Sequence, residues 1–187
     1  MSNNYLLFFL EVLYQILDIC DLKNPIKVTV EDHEGALRYS GVTLRGIQVS
    51  VSPDWLKWKL KAIDLEPINN IVDITNYVLH SLGQPMHAFD ADEVGSSIIV
   101  KRLPTDTSFT TLDGKERKLS DQDLMICNTE GGMCLAGVFG GQKSGVTNET
   151  TDIFLESACF SPEYVRSTAQ RHGLNTDASF RFERSTD

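Results

Sequence analysis

Residues 73–90 read DITNYVLHSLGQPMHAFD, and the chain changes character in their middle. The first ten positions continue a helical pattern begun just before them, with Val72, Tyr77, Val78 and Leu82 as candidate buried positions. Gly83 ends that helix, and Pro85 keeps it from resuming. Beyond the proline the pattern becomes one of short strands. His87 stands between Met86 and Ala88-Phe89, which suggests burial. Yet Thr75, Asn76, Gln84, His87 and Asp90 crowd the same stretch with hydrogen-bonding groups. A packing corner, a metal site and a pocket for a polar ligand are all compatible with it.

Upstream, residues 26–30 (IKVTV) and 43–51 (TLRGIQVSV) alternate like strands. Ser52-Pro53-Asp54 is a helix start: Ser52 can cap, Pro53 fits the first turn and Asp54 faces the positive end of the dipole. The spacing predicts a helix to about Ala62, with Trp55, Leu56, Leu60 and Ile63 as its apolar side. After Pro67, Asn69 or Asn70 caps the helix that leads into the opening stretch.

Downstream, strands are predicted at 97–103, 109–112, 116–119, 123–128, 133–141 and 152–160. Asp113-Gly114 between short alternating runs is a hairpin signal. Ser161-Pro162-Glu163 repeats the earlier helix start, and that helix runs to His172-Gly173. Residues 178–184 (ASFRFER) alternate, which predicts a closing strand with Phe180 and Phe182 on one face. The fold class is α+β: a layered domain of mostly antiparallel strands and hairpins, with three or four helices packed on the sheets.

The chain has 187 residues, 41% of them hydrophobic and 23% charged, so a globular fold is expected. Its formal net charge of −9 excludes a protein that grips nucleic acid mainly by neutralising phosphates. None of Cys20, Cys127, Cys134 and Cys159 forms a CxxC pair, so buried reduced thiols in a cytoplasmic protein are expected. The run YLLFFLEVLYQIL near the N-terminus is too short for a membrane span. It reads as a helix whose Leu6, Phe9, Leu10, Leu13 and Leu17 stripe packs on a neighbour. Residues 1–30 are set apart as N-terminal helix and linker, and 31–187 as the main domain.

Individual chemistries are mostly excluded. GVFGGQKS (137–144) lacks the Gly-Lys-Ser/Thr of a phosphate-binding loop, because Gln142 intervenes. His80 and His87 have no further ligand at metal spacing, so no metal is expected. No nucleophile elbow is present. Glu156 is different. It lies in IFLESACF, where strict alternation puts Phe154 and Ala158 on its face. A carboxylate there either points outward from an edge strand or serves as an acceptor at the base of a pocket.

YSGVTLRGIQVSVSPDWLKWKL, PINNIVDITNYVLHSLGQPMHAFDADEV, LAGVFGG, IFLESACF and TDASFRFER together resemble the central editing module of the bacterial phenylalanyl-tRNA synthetase beta subunit. The blocks stand in family order and cover residues 38–187. The resemblance implies an editing site that hydrolyses tyrosine mischarged onto tRNA(Phe). It places the pocket on Thr75, Asn76, His87, Gly137, Glu156, Thr176 and Ala178. Glu156 would accept the tyrosine hydroxyl, and an N–H at Gly137 would contact the ligand. Ala178 would leave room for the ring, and His87 and Asn76 would orient the ester. It implies no cofactor in this segment, with ATP and magnesium belonging to the parent enzyme. The implied partners are the tRNA(Phe) acceptor end, the alpha subunit and the remaining beta-subunit domains of a heterotetramer, with no membrane. Asp64 and Glu66 depart from the family's usual Gly and Arg, which weakens an RNA contact there. A non-catalytic scaffold touching RNA or a subunit, and a free-standing relative that binds an aromatic amino acid, remain alternatives.

Overall fold

The computed structural model describes residues 24–184. The stripe expected at residues 6–17, and Cys20, lie outside them. Within them the fold is α+β, built on three sheets.

The first sheet has five strands: β1 (Lys27–Val30), β4 (Ser97–Arg102), β7 (Leu124–Cys127), β8 (Gly132–Leu135) and β9 (Phe139–Gly140), hydrogen-bonded in the order β1-β4-β7-β8-β9. The β1–β4 pairing is parallel; the rest of the sheet is antiparallel. The second sheet has β10 (Ile153–Phe160) at its centre, flanked antiparallel by β2 (Ala36–Leu44) and β3 (Met86–Asp90). A small hairpin, β5 (Ser108–Thr110) and β6 (Glu116–Lys118), turns through Gly114 at φ 74°. A left-handed residue there is what the Asp-Gly pair supplies.

Helix α1 spans Asp54–Lys61, α2 Asn70–Leu82, α3 Ala91–Val94, α4 Pro162–His172 and α5 Asp177–Phe182. Asn69 caps α2, its side chain accepting from the N–H groups of Ile71 and Val72, and Gly83 ends it at φ 82°. Ser52 does not cap α1. Its hydroxyl donates instead to the buried carboxylate of Asp73 at 2.5 Å, which also accepts from the Ile68 N–H. That carboxylate joins the approach to α1 to the first turn of α2. Only Leu56 and Leu60 are buried on α1; Trp55 and Ile63 are exposed, and so is Leu82 on α2. The core lies between the two larger sheets and under α4 and α5, centred on Phe89, Ile98, Met125, Ile126, Leu135, Phe154 and Phe160. Among the described residues no helix is long and apolar enough to cross a membrane.

Three strand assignments differ from the sequence reading. The strand expected at 43–51 lies at 36–44, because β10 begins at Ile153 opposite Leu44 and offers no partner beyond it. The chain after Leu44 bonds to Thr151 and Asn70 instead. The strand expected at 133–141 is split by a turn in which Gly137 has φ 70°. Residues 177–182 are a helix, not a strand. Thr176 and Ser179 form a reciprocal capping box, and that local start overrides the alternation. Phe182 is buried against Phe160, whereas Phe180 is exposed.

Candidate active site

β10 turns Phe154, Glu156, Ala158 and Phe160 towards the core, in strict alternation. Glu156 therefore lies on the central strand of its sheet, not on an edge, and is 5% exposed. Its register partners are Gly41 on β2 and His87 on β3. Residues directly opposite in a ladder share a face, so His87 stands beside Glu156. The turn at 83–85 sets this register: Gln84 donates from Nε2 to the Ala158 carbonyl at 3.0 Å, tying the turn to β10.

Burial pushes the Glu156 carboxyl up to about 7, against a bond from Tyr39 that pulls it down. The Tyr39 hydroxyl donates to Glu156 Oε2 at 2.7 Å. Burial, then the Glu156 charge, holds the Tyr39 phenol well above its usual range, and the buried Cys134 thiol is raised in the same way. His87 is lowered to about 4 by burial. Its Nε2 is buried with no hydrogen-bond partner among the described residues, and its ring meets Phe89 edge-on at 4.3 Å. At neutral pH the face thus holds a neutral imidazole next to a carboxyl near its midpoint.

The other residues singled out fall into two further groups. Thr75 and Asn76 lie half-buried on α2, the Thr75 hydroxyl donating to the Val72 carbonyl at 2.8 Å. Gly137 lies in the turn between β8 and β9. Thr176 caps α5 and donates from Oγ1 to the Val138 carbonyl at 2.9 Å, with Ala178 in the helix's first turn. A Cβ on Gly137 would meet Phe182, Phe160 and Val165 at 2.9–3.0 Å, so that side of the glycine is packed by α4, α5 and the end of β10. His80 on α2 lies 3.7 Å from Asp177 on α5, which brings those two groups towards each other. The structure pairs His87 with Glu156 and ties Thr176 to Val138, the residue after Gly137. Among the described residues no side-chain hydrogen bond or ion pair runs between the predicted site residues of one group and those of another.

Sequence reading gave Tyr39 no role, and it noted Gly140 only as part of a glycine-rich turn and Cys134 only as a buried thiol. Tyr39 lies 117 residues from Glu156, and no local signal could connect them. A Cβ on Gly140 would come within 3.2 Å of His87 Cε1 and 2.9 Å of Leu112 Cδ1, so this glycine keeps the imidazole's edge clear. Two surface hollows lie elsewhere. One, of about 550 Å³, is lined by residues 31–34 with Lys101 and Arg102; the other, of about 380 Å³, includes Phe109, Glu130, Met133 and Lys143. The first is shaped by a satisfied ion pair, Arg102 to Asp32 at 2.5 Å, and neither is lined by His87 or Glu156. Among the described residues no three His, Cys, Asp or Glu side chains gather as metal ligands.

Residues 35–187 match the B3/4 domain family. The chain is 63% identical over 163 residues to the phenylalanine–tRNA ligase beta subunit of Bacteroides fragilis, covering 87% of this chain and 20% of that protein. It is 58% identical over 172 residues to the corresponding subunit of Porphyromonas gingivalis, covering 91% of this chain and 21% of that one. It thus spans about a fifth of the length of these curated relatives. Its fold is similar to the crystal structure of an N-terminal fragment of the phenylalanyl-tRNA synthetase beta subunit from Pyrococcus horikoshii. There the TM-score is 0.51 at 14% identity, over 81% of this chain and 52% of that one.

Proposed function

The chain belongs to the B3/4 domain family, and from that membership we propose that it carries the editing site of a phenylalanyl-tRNA synthetase beta subunit, hydrolysing tyrosine mischarged onto tRNA(Phe). The observation that carries the reading is the pairing of Glu156 with His87. A buried carboxyl and an unpartnered imidazole nitrogen share one face, next to a phenol already bound by that carboxyl.

Tyrosine and phenylalanine differ by one hydroxyl. A synthetic pocket shaped for phenylalanine rejects the extra hydroxyl by only about 10². A second pocket that must bind the hydroxyl rejects its absence far better, by about 10⁴–10⁵, because phenylalanine leaves a buried acceptor unpaired. Glu156 is that acceptor. Its bond from Tyr39 at 2.7 Å is an internal precedent for a phenol on this carboxyl. Ala178 leaves space for the ring, and the turn at Gly137 supplies backbone N–H to the ligand. Thr75 and Thr176 complete the proposed pocket.

His87 and Asn76 orient the ester through its amino group, ribose or carbonyl. At neutral pH His87 is neutral, so Nε2 forms one directed bond without bringing a charge. Water adds to the ester carbonyl carbon, and the bond to the ribose oxygen breaks. That oxygen leaves with a proton from the water, giving free tyrosine and uncharged tRNA. An aminoacyl ester is already activated, so positioning and carbonyl polarisation supply the rate. ATP and magnesium serve the synthetic reaction of the larger cytoplasmic enzyme, whose other beta domains and alpha subunit are this chain's partners.

The test is release of amino acid from tyrosyl- and phenylalanyl-tRNA(Phe), by this chain and by the assembled enzyme. Selective tyrosine release that is lost in Glu156→Ala is expected. An unchanged selectivity in that variant would sink the assignment. A scaffold role has its own supporting observation: Val51, Trp55, Trp58 and Ile68 are exposed around α1, a surface suited to cover by another domain. Catalytic silence of both this chain and the assembled enzyme would favour that reading.

A further inference from the structure

The Tyr39–Glu156 bond divides the carboxyl into two unlike oxygens. Oε2 is taken by the Tyr39 hydroxyl at 2.7 Å. Oε1 receives no hydrogen bond from the described residues. The strand ladder fixes the arrangement further: Glu156 is opposite Gly41 and Ala158 is opposite Tyr39, so the phenol reaches Glu156 along the diagonal of one sheet face. Gly41 cannot supply a competing side chain, because the Phe154 ring fills the position of its missing Cβ. Phe160 backs the Tyr39 ring at 6.4 Å, and Phe182 backs Phe160 at 5.2 Å. Tyr39 is therefore held from behind, with its hydroxyl aimed at one oxygen.

We propose that Tyr39 is a positioning residue for the editing site: by occupying Oε2 it fixes the Glu156 carboxyl and leaves Oε1 as the one acceptor for the hydroxyl of a bound tyrosine. This inference rests on the function proposed above. A buried carboxyl without Tyr39 could rotate, or could use both oxygens on other donors, and its remaining lone pairs would no longer point in one direction. The titratable groups that face Glu156 are Tyr39 from β2, His87 from β3 and Cys134 from β8. His87 and Cys134 are held neutral by burial, so Tyr39 supplies the bond that favours the ionised carboxyl. The phenol itself stays protonated, because its own ionisation is opposed by burial and by Glu156.

Tyr39→Phe keeps the ring and deletes the hydroxyl. The 187-residue chain, labelled with ¹³C at glutamate side chains, gives the Glu156 titration by NMR. Calorimetry with free L-tyrosine and L-phenylalanine gives binding at a pH above the midpoints of both proteins. In the variant, the midpoint is expected to rise from about 7, because the bond that lowers it is gone. With the carboxyl ionised in both proteins, tyrosine affinity is expected to fall roughly tenfold while phenylalanine affinity stays unchanged. A variant with a raised midpoint that binds tyrosine as tightly as the parent chain overturns the positioning role. An unmoved midpoint overturns it too. If the parent chain itself shows no preference for tyrosine, the site reading fails and this inference falls with it. A parent that prefers tyrosine, paired with a variant that prefers it equally, removes Tyr39 alone.

Discussion

Glu156 and His87 stand directly opposite each other on β10 and β3, an acid and a base whose ordinary order of titration burial has inverted. The acid is pushed up to about 7 and the base down to about 4.

These two shifts act on stability with opposite signs. Glu156 is raised from 4.5 to about 7, so its contribution is full below 4.5 and lost as pH rises through 7. His87 is lowered from 6.5 to about 4, so its contribution is full above 6.5 and lost as pH falls through 4. The effects oppose between 4.5 and 6.5. Replacing one residue should unmask the other. Relative to the parent chain, Glu156→Gln should gain stability as pH rises from 4.5 to 7, and His87→Asn as pH falls from 6.5 to 4. Each gain should be about 3 kcal/mol across its window. Urea unfolding at a series of pH values measures both; stability curves parallel to that of the parent would contradict the burial of these groups.

Gly140→Ala should separate site geometry from folding. The added methyl would sit 3.2 Å from His87 Cε1 and 2.9 Å from Leu112 Cδ1. Leu112 is exposed and can swing away, so the imidazole takes the strain. The expected stability cost is small, about 1 kcal/mol, while the His87 ring resonances shift and ligand affinity falls. Two-dimensional NMR of the histidine rings, beside a thermal melt, checks this.

Asp123→Ala should be among the most damaging substitutions. Its fully buried carboxylate accepts from the Ser120 N–H and from the side chains of Thr168, Arg171 and His172. Burial alone would raise it; the bonds from Ser120, His172 and Thr168 outweigh that and hold it below its usual range. Removing it should cost about 3–5 kcal/mol and loosen the C-terminal end of α4, just before Thr176 and Ala178. The part of its stabilisation that depends on ionisation should disappear only as pH falls below about 3.8, in a guanidinium titration of the parent chain.

Gly41→Ala should disturb the sheet that carries Glu156. Its Cβ would lie 2.0 Å from Phe154 Cζ, inside a fully buried ring. The ring must move, at a cost of about 1–3 kcal/mol. Differential scanning calorimetry should show the lowered midpoint; an unchanged melting temperature would mean that the ring finds a second position freely.

Elements with local punctuation were legible in the sequence. Gly83 before Pro85, and the Asp113-Gly114 turn, did what their backbone chemistry requires. Alternation alone misled twice. At 43–51 it had no partner strand past Leu44, and at 178–184 it lost to a capping box. The site is a third case. Glu156 and His87 became neighbours through a ladder between segments about seventy residues apart, which no local pattern encodes. Family resemblance named both residues, yet it could not say that they flank each other on one sheet face. Tyr39 escaped both routes, since its meaning lies in a single long-range bond.

The central position of β10 also has a temporal consequence. β2 and β3 share no hydrogen bonds with each other, and each waits for the strand that lies between them. That strand is the last in chain order of the ten among the described residues. During synthesis from the N-terminus, two open strand edges must persist until residues 153–160 leave the ribosome. Such long-range pairing folds slowly and exposes unpaired edges meanwhile. The Glu156–His87 pair is thus assembled late, when the insertion of one strand closes the sheet and sets the acid beside the base.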